Sequence, residues 1–289
     1  MNIIKNRKTF MIISLAIIVI GIVMFAIKGL NYGIDFTGGT LIEMNVGKFI
    51  SVDEIRGIMN EYDQNASILH AGADKEQVII KSTLDLSNND ITNIINQFID
   101  KYGMEKQSFQ SEKFGALMGK EIRNKAMLSM LIATVAMLLY ITWRFEFNFG
   151  LSAIIALVHD ILIMISVYSI FRIPVDGSFI AAILTIVGYS INDTIVIFDR
   201  IRENLKLNPR ETLDNTINGS IKQSLRRTIN TSVTTLVAVV VLYVLGVEAV
   251  KVLAFPLIIG IVSGTYSSLF IASPIWFMLK NRNTIKTAK

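Results

Sequence analysis

Residues 183–204, ILTIVGYSINDTIVIFDRIREN, predict a membrane-spanning helix that carries a carboxylate inside the membrane. At 100° per residue one face is almost wholly apolar, and the other gathers polar and small side chains within an arc of about 140°. The polar face consists of Thr185, Gly188, Tyr189, Asn192, Asp193, Val196, Asp199 and Arg200. Asp193 lies roughly 10 Å along the helix from Arg200, which leaves it within a hydrocarbon layer about 30 Å thick.

A charged side chain at the depth of Asp193 is costly, at about 2.5–3.5 kcal/mol on insertion scales. Such an acid faces a bundle interior or a water path, pairs with a base, or exchanges protons. An acid that stays neutral and is only hydrogen-bonded between helices is the alternative. The polar face around Asp193, with Asn192 beside it, favours a functional acid.

Composition indicates an integral membrane protein. Of the 289 residues, 52% are apolar and 18% are charged, and the apolar residues form long uninterrupted runs. The formal charge of +5 comes mostly from residues beside the ends of those runs, which favours a lipid bilayer and not nucleic acid as the partner. The chain has no cysteine, and its two histidines, His70 and His159, are 89 residues apart. We therefore expect no metal and no cofactor, with protons as the coupling ion, and no enzymatic activity.

The apolar runs predict an α-helical polytopic protein with six transmembrane helices. We expect the N-terminus and the first helix in residues 1–29, an extramembrane domain in residues 30–124, and five further helices in residues 125–289, with a connector at 200–228. The predicted spans are 10–27, 126–143, 149–171, 178–198, 229–246 and 253–279.

The basic residues predict the orientation. Fifteen lysines and arginines fall in segments on the N-terminal side of the membrane, against two, Arg172 and Lys251, in the short loops on the other side. The positive-inside rule then places both termini in the cytoplasm and residues 30–124 outside.

The extramembrane segment predicts a small α+β domain of the ferredoxin-like class. The order is β-α-β-β-α-β, with strands at 40–46, 66–70, 77–81 and 105–111 and helices at 51–62 and 88–101. Ser51 and Glu54 form a capping box at the start of the first of these helices. His70, beside the predicted hairpin, is interpreted as a surface histidine.

A second ionisable pair, His159 and Asp160, lies near the centre of the third predicted span. It is interpreted either as part of a proton path or as a polar lock that holds the third and fourth helices in register. Tyr189 and Asp199 are candidates for the same relay or lock. Arg227, just before the fifth span, is the nearest basic partner that could reach Asp193, although an ordinary flanking arginine would look the same.

Two further segments carry local signals. In NYGIDFTGGT, residues 31–40, Asp35 can hydrogen-bond local backbone, while Gly33, Gly38 and Gly39 permit either a hinge or a fixed turn. In the connector, Pro209 predicts a helix start, and an apolar stripe at every fourth position predicts a helix that lies along the membrane or packs against a partner.

The most specific motifs are YGIDFTGGT at 32–40, VGYSINDTIVIFDRIREN at 187–204 and QSLRRTINTSVTT at 223–235. Together with the intramembrane His159-Asp160 pair they resemble the SecD/SecF family of protein-export membrane proteins, within the resistance-nodulation-division (RND) superfamily. The resemblance covers essentially the whole chain.

The resemblance implies a SecF-type subunit of the bacterial cell membrane that pairs with SecD as a pseudo-symmetric half. In this family the SecDF complex is held to use the proton-motive force to complete translocation of preproteins delivered by SecA through the SecYEG translocon. The acid of the family's N-D pair corresponds to Asp193, after Asn192, and its functional arginine to Arg227. Because no SecD half is fused to it, the chain is expected to be incomplete alone.

Two other functions are compatible with the residues. One is an RND-type exporter of small molecules or lipids, although an outer domain of about 95 residues leaves little room for a drug pocket. The other is a scaffold that stabilises the translocon without conducting protons, which would tolerate an exchange of Asp193 for asparagine.

Overall fold

The computed structural model describes residues 2–72, 74–103 and 108–287. Its helices are α1 (Arg7–Lys28), α2 (Ile34–Thr37), α3 (Val52–Met59), α4 (Asn88–Tyr102), α5 (Ala116–Arg144), α6 (Phe147–Phe171), α7 (Gly177–Leu207), α8 (Leu213–Leu245), α9 (Glu248–Ser267) and α10 (Ser273–Thr287). Its strands are β1 (Asn31–Tyr32), β2 (Gly39–Asn45), β3 (Ser67–Ala71), β4 (Gln77–Ser82), β5 (Phe109–Phe114) and β6 (Pro174–Val175). A π-helical turn, Ser268–Ala272, joins α9 to α10.

Six helices among the described residues are long and apolar enough to cross a membrane. They are α1, α5, α6, α7, α8 and the continuous helix from α9 into α10, and the six predicted spans coincide with them. A helix bonds its own backbone, so these apolar segments can sit in lipid without unsatisfied N–H and C=O groups. The chain is therefore a helical, multi-pass membrane protein.

The prediction of a separate connector helix that starts at Pro209 is wrong. Instead, α7 runs on to Leu207 and α8 begins at Leu213, so both transmembrane helices extend beyond the bilayer. The apolar stripe is a packing face within the chain, because Ile217 and Ile221 are fully buried in the same cluster as the side chains that precede α1. An apolar stripe at every fourth position indicates that this face of the helix is buried. It does not show whether a membrane surface or a neighbouring helix covers the face.

The bundle is tightest where α7 packs against α9. A Cβ atom at Gly260 would overlap the side chain of Ile186, and one at Gly264 would lie 2.8 Å from the Cβ of Ser190. Small residues let transmembrane helices approach this closely. As a result α6, α7 and α9 form the centre of the bundle, whereas α1, α5 and α8 expose most of their surface.

The segment between α1 and α5 forms one four-stranded antiparallel sheet. The strand order is β3-β4-β2-β5, and β2 pairs with β4 on one side and β5 on the other. The predicted strands at 40–46, 66–70 and 77–81 appear within one residue of β2, β3 and β4. The last predicted strand begins at 105, among residues 104–107 that lie outside the described residues, and β5 is observed at Phe109–Phe114.

Helices α3 and α4 cover one face of this sheet. Their starts are fixed by Ser51, which accepts a hydrogen bond from the Glu54 N–H, and by a capping box of Ser87 and Asp90. A separate apolar core lies between helices and sheet, and it includes Ile42, Met44, Ile55, Val78, Ile80, Ile94 and Phe98.

The interpretation of His70 as a surface residue is wrong. Its side chain is 2% exposed, and its Nε2 atom lies 2.7 Å from the carbonyl oxygen of Ile50. Along β3 alternate residues point to the core, so His70 shares the buried face with Ile68 and satisfies its polar atom against backbone.

A soluble fragment of residues 38–115 should fold on its own, because its core is separate from that of the bundle. We expect cooperative thermal unfolding and mixed α/β circular dichroism. Phe98→Ala, at a fully buried position, should lower the free energy of unfolding by about 3–5 kcal/mol. Asp100→Ala, exposed on the same helix, should change it by less than about 0.5 kcal/mol. A disordered spectrum of the unsubstituted fragment would contradict an independent domain.

Candidate functional site

Asp160, in the middle of α6, is the most heavily bonded side chain inside the bundle. It is 1% exposed, and its carboxylate accepts hydrogen bonds from Ser190 at 2.7 Å, from Ser263 and Ser267 at 2.8 Å each, and from His159 Nδ1 at 3.0 Å. Two donors reach each oxygen. These four bonds use all of the roughly four acceptor positions that the two oxygens of a carboxylate offer.

The Asp160 bonds join three helices. Ser190 belongs to α7, whereas Ser263 and Ser267 lie one turn apart on α9. Hydrogen bonds to a charged group contribute about 1.5–3 kcal/mol, and removal of one partner leaves a buried charge short of a donor. This geometry favours the lock interpretation of Asp160, with α9 as a third member besides the two helices expected from the sequence.

His159 is held beside this lock. Its ring stacks on Tyr266 of α9, with the ring centroids 6.2 Å apart. Among the described residues its buried Nε2 atom has no hydrogen-bond partner. When Nδ1 donates to Asp160, the neutral ring leaves Nε2 as an unprotonated acceptor. His159 also lines a cavity of about 400 Å³ between α1, α6 and α9.

Asp193 lies in a different and much poorer environment on α7. It is 3% exposed, and among the described residues its carboxylate receives a single hydrogen bond, from Ser232 of α8 at 3.4 Å. Ser232 in turn accepts from Thr265 of α9 at 2.7 Å. Asp193 is thus a buried acid with most of its acceptor capacity unused, at the end of a polar string across α7, α8 and α9.

The predicted partner Arg227 does not contact Asp193 in this conformation. No ion pair within 4.0 Å joins them among the described residues, and Arg227 is exposed on α8 about 7.5 Å along the axis before Ser232. Asn192, next to Asp193 in sequence, is also exposed on the outside of the bundle. The pairing of Asp193 with Arg227 stays a prediction that requires movement of the guanidinium.

Tyr189 and Asp199 occupy separate places. The buried hydroxyl group of Tyr189 has no hydrogen-bond partner among the described residues. Asp199 is exposed at the end of α7, where it forms ion pairs with Arg202 at 2.7 Å and with Arg144 of α5 at 3.9 Å. The structure therefore does not bring these two residues into the Asp160 or the Asp193 cluster.

Serine and threonine side chains are the functional candidates that sequence reasoning missed. Thr194 of α7 hydrogen-bonds Ser268 at 2.8 Å, and Ser268 donates to the carbonyl oxygen of Ser190 at 3.2 Å. Ser268 begins the π-helical turn, a geometry often found at functional sites. The sequence feature that could have indicated these residues is the clustering of hydroxyl side chains with Gly260 and Gly264 on one face of α9.

No group of three or more histidine, cysteine or acidic side chains is placed to hold a metal within the described ranges. The polar groups of the bundle are arranged around two buried carboxylates instead. Ionisable residues inside a helical bundle often mark the ion or substrate pathways of membrane transport proteins.

Comparison with known proteins gives the family. The C-terminal family of SecD/SecF protein-export membrane proteins is matched over residues 94–282, and the SecD/SecF GG motif over residues 23–48. The chain is 37% identical over 294 residues to the protein translocase subunit SecF of Alicyclobacillus acidocaldarius. This match covers 100% of this chain and 96% of that protein. The chain belongs to the SecD/SecF family of protein translocase subunits.

Larger relatives contain the same unit. The chain is 34% identical to the protein translocase subunit SecDF of Bacillus subtilis, over 98% of this chain and 38% of that protein. It also matches the crystal structure of SecDF, a translocon-associated membrane protein from Thermus thermophilus, with a TM-score of 0.83 and 33% identity. That match covers 97% of this chain and 39% of the other, so the chain spans about two fifths of the SecDF proteins.

Gly264→Ala should loosen the α7–α9 contact that supports the Asp160 bonds. Its Cβ would lie 2.8 Å from the Cβ of Ser190, whereas a Cβ at Gly188 of α7 meets no atom within 4 Å. Thermal unfolding in detergent should show a lower midpoint for Gly264→Ala, by several degrees for about 1–3 kcal/mol of overpacking. Gly188→Ala is the matched control and should leave the midpoint unchanged. Equal midpoints for both variants would show that the helices do not approach as closely as described.

Proposed function

We propose that the protein is the SecF-type subunit of a SecDF complex that uses the proton-motive force to complete preprotein translocation after SecA and SecYEG. The observation that carries this proposal is the contrast between two buried acids. Asp160 has its acceptor sites filled, whereas Asp193 receives one hydrogen bond, from Ser232 at 3.4 Å. Asp193 is the acid whose proton can be exchanged without dismantling the bundle.

A carboxylate that carries protons needs one environment that favours its charged form and another that favours its neutral form. Movement of the Arg227 side chain can provide both. With the guanidinium near, the carboxylate is stabilised in its charged form. With the guanidinium withdrawn into water, burial favours the neutral form of an acid. Movement of the exposed Arg227 side chain towards Ser232 and Asp193 would therefore alternate uptake and release of a proton.

Exposed polar groups inside the membrane support SecD as the partner. Thr185 and Asn192 lie on the exposed side of α7, and Asn230 and Thr234 on the exposed side of α8. Amide side chains rarely face lipid, so a protein surface is their expected neighbour. The SecDF relatives, of which this chain spans about two fifths, have room for that neighbour in the remainder of their length.

The proposal includes the cellular arrangement. Both termini are cytoplasmic and residues 30–124 lie outside the bacterial cell membrane, as the basic residues predict. There the domain meets the preprotein that emerges from SecYEG. We assign it to the ferredoxin-like class, supported by the β-α-β-β-α-β order and the antiparallel β3-β4-β2-β5 sheet.

The energy of one proton sets the kind of movement. One elementary charge that crosses 100 mV releases about 2.3 kcal/mol, enough to bias a two-state equilibrium roughly 50-fold but not to unfold a domain. We therefore expect rigid-body displacement of the outer domain, with capture and release of the emerging chain.

A scaffold that conducts no protons is the second candidate, and the fully bonded Asp160 favours it. The two candidates differ in what they require of Asp193, since a helix lock tolerates an asparagine that keeps the hydrogen bond from Ser232. An exporter of small molecules would instead need an outer cavity for its cargo, and the cavity between sheet and bundle, about 310 Å³, lies at the lower end of the usual range for ligand pockets.

Asp193→Asn and Arg227→Ala should each abolish the stimulation of preprotein export by the proton-motive force. The variants should reach normal membrane levels because neither removes an Asp160 bond. Export is measured in membrane vesicles with an imposed pH gradient, and Arg226→Ala, exposed beside Arg227, is the control. Full stimulation in Asp193→Asn would favour the scaffold and remove proton coupling through this acid.

A further inference from the structure

The segment that leaves the first transmembrane helix is bound to the beginning of the fourth. β1 pairs in parallel with β6, with Asn31 opposite Pro174 and Tyr32 opposite Val175. The Gly33 N–H then donates to the Val175 carbonyl at 2.7 Å. These backbone bonds join parts of the chain more than 140 residues apart and end directly before α7.

Two carboxylates cap the N-terminus of α7. Asp176, the N-cap residue, accepts a hydrogen bond from the Phe179 N–H at 3.2 Å. Asp35, which comes from α2, accepts one from the Gly177 N–H at 2.7 Å. The first turn of a helix has unpaired N–H groups and a partial positive charge, so both carboxylates are stabilised there. A Cβ at Gly177 would lie 3.3 Å from the Asp35 oxygen, so glycine leaves room for this contact.

Arg172 makes the reciprocal contact on α1. Its guanidinium donates to the carbonyl oxygens of Lys28 at 2.9 Å and Gly29 at 2.6 Å, at the C-terminus of α1. A cation is favoured at that end of a helix. The residue has a left-handed backbone, φ 55°, which is uncommon outside glycine and is held here by these contacts.

The short helix α2 connects the bundle to the outer domain, because it packs against α5 and continues directly into β2. The α2 turn leads through Gly38 and Gly39 into β2, one of the two central strands of the sheet. Gly39 has φ 143°, and a Cβ there would overlap the carbonyl oxygen of Ser82 in β4. A Cβ at Gly119 of α5 would lie 2.6 Å from the Phe36 carbonyl oxygen. Phe36 of α2 is buried in the bundle core, and Gly39 is packed tightly against β4 at the start of the sheet. The chain is thus closely packed before and after these glycines, which favours the fixed turn over a hinge.

We propose that Asp35 is a positioning residue that transmits movement of α7 to the outer domain, with Arg172 as the second point of the clamp. The inference rests on the proposed function, because it describes how a movement of α7 that begins at Asp193 reaches the outer domain. Asp193 lies 16 residues, or about 24 Å, along α7 from Gly177. A rigid helix that shifts at Asp193 carries its N-terminus with it, and Asp35 makes the sheet follow.

Charges of both signs meet at the junction. Burial raises the pKa of Asp176, the nearby Asp35 carboxylate adds to that rise, and Lys81 of β4 opposes it. Lys81 and Asp35 line the same cleft as Glu43 and Asp176 between sheet and bundle. At this junction a second carboxylate, that of Asp35, shares the positive field at the N-terminus of α7 with Asp176.

The test measures whether Asp35 couples Asp193 to the outer domain. The chain has no cysteine, so spin labels can be placed at introduced cysteines, at exposed Asn89 of the outer domain and exposed Leu245 at the end of α8. The label-to-label distance is measured in the full chain with its membrane partner in lipid. Asp193→Asn should shift this distance in the otherwise unchanged chain. Asp35→Ala should eliminate the shift.

Two variants separate coupling from general damage. Asp35→Asn keeps an acceptor oxygen for the Gly177 N–H and should retain at least half of the shift, and Asp100→Ala, an exposed acid on α4, should retain all of it. A full shift in Asp35→Ala would overturn the positioning role and leave the proposed function intact. No shift in any background would contradict both, since the outer domain would then not respond to Asp193.

A covalent replacement of the clamp provides the second readout. Tyr32→Cys with Val175→Cys places two cysteines at paired positions of adjacent strands, within reach of a disulfide. Asp35→Ala should lose proton-driven export stimulation, and oxidation of this pair should restore it, because a covalent bond between β1 and β6 reinforces the junction next to the lost hydrogen bond between Asp35 and Gly177. A cross-linked Asp35→Ala protein that stays inactive, with normal membrane levels, would overturn transmission through this junction.

Discussion

The structure depends on the need to satisfy a carboxylate in the middle of a membrane. Asp160 meets that need with four donors from its neighbour His159 and from two other helices. Those bonds require α6, α7 and α9 to lie at one rotation and one depth, and the close approach at Gly260 and Gly264 makes that possible. An unbonded charge in hydrocarbon would cost several kcal/mol, so the acid selects the arrangement in which its donors converge.

Asp193 lies close to the helix contact that Asp160 makes. It lies three residues after Ser190, the α7 residue that donates to Asp160, and therefore about one helical turn from that contact. Its own hydrogen bonding is sparse, which leaves its protonation open to change by neighbouring charges. In the proposed function, Asp160 holds the helices together and Asp193 changes its charge while they stay assembled.

Local sequence patterns predict the elements and fail where distant parts of the chain meet. Apolar runs give six spans, and alternation gives β2, β3 and β4, because both signals depend on residues close in sequence. The donors Ser263 and Ser267 were missed, since small hydroxyl residues are common in membrane helices and only their rotation towards Asp160 makes them partners. Asp35 and Gly177 are 142 positions apart in the chain, so no local periodic pattern of the sequence predicts their contact. The stripe at Ile217 and Ile221 was recognised, but the surface that covers it was not.

The central claim is that Asp193, and not Asp160, is the buried acid that exchanges protons. Infrared difference spectra of the protein in lipid, recorded between two pH values, detect the C=O stretch of a protonated carboxyl group. The account predicts a buried-carboxyl band that changes with pH, disappears in Asp193→Asn and persists in Ser263→Ala, which weakens only the Asp160 cluster. A band that persists in Asp193→Asn, or one that is lost in Ser263→Ala, would contradict it.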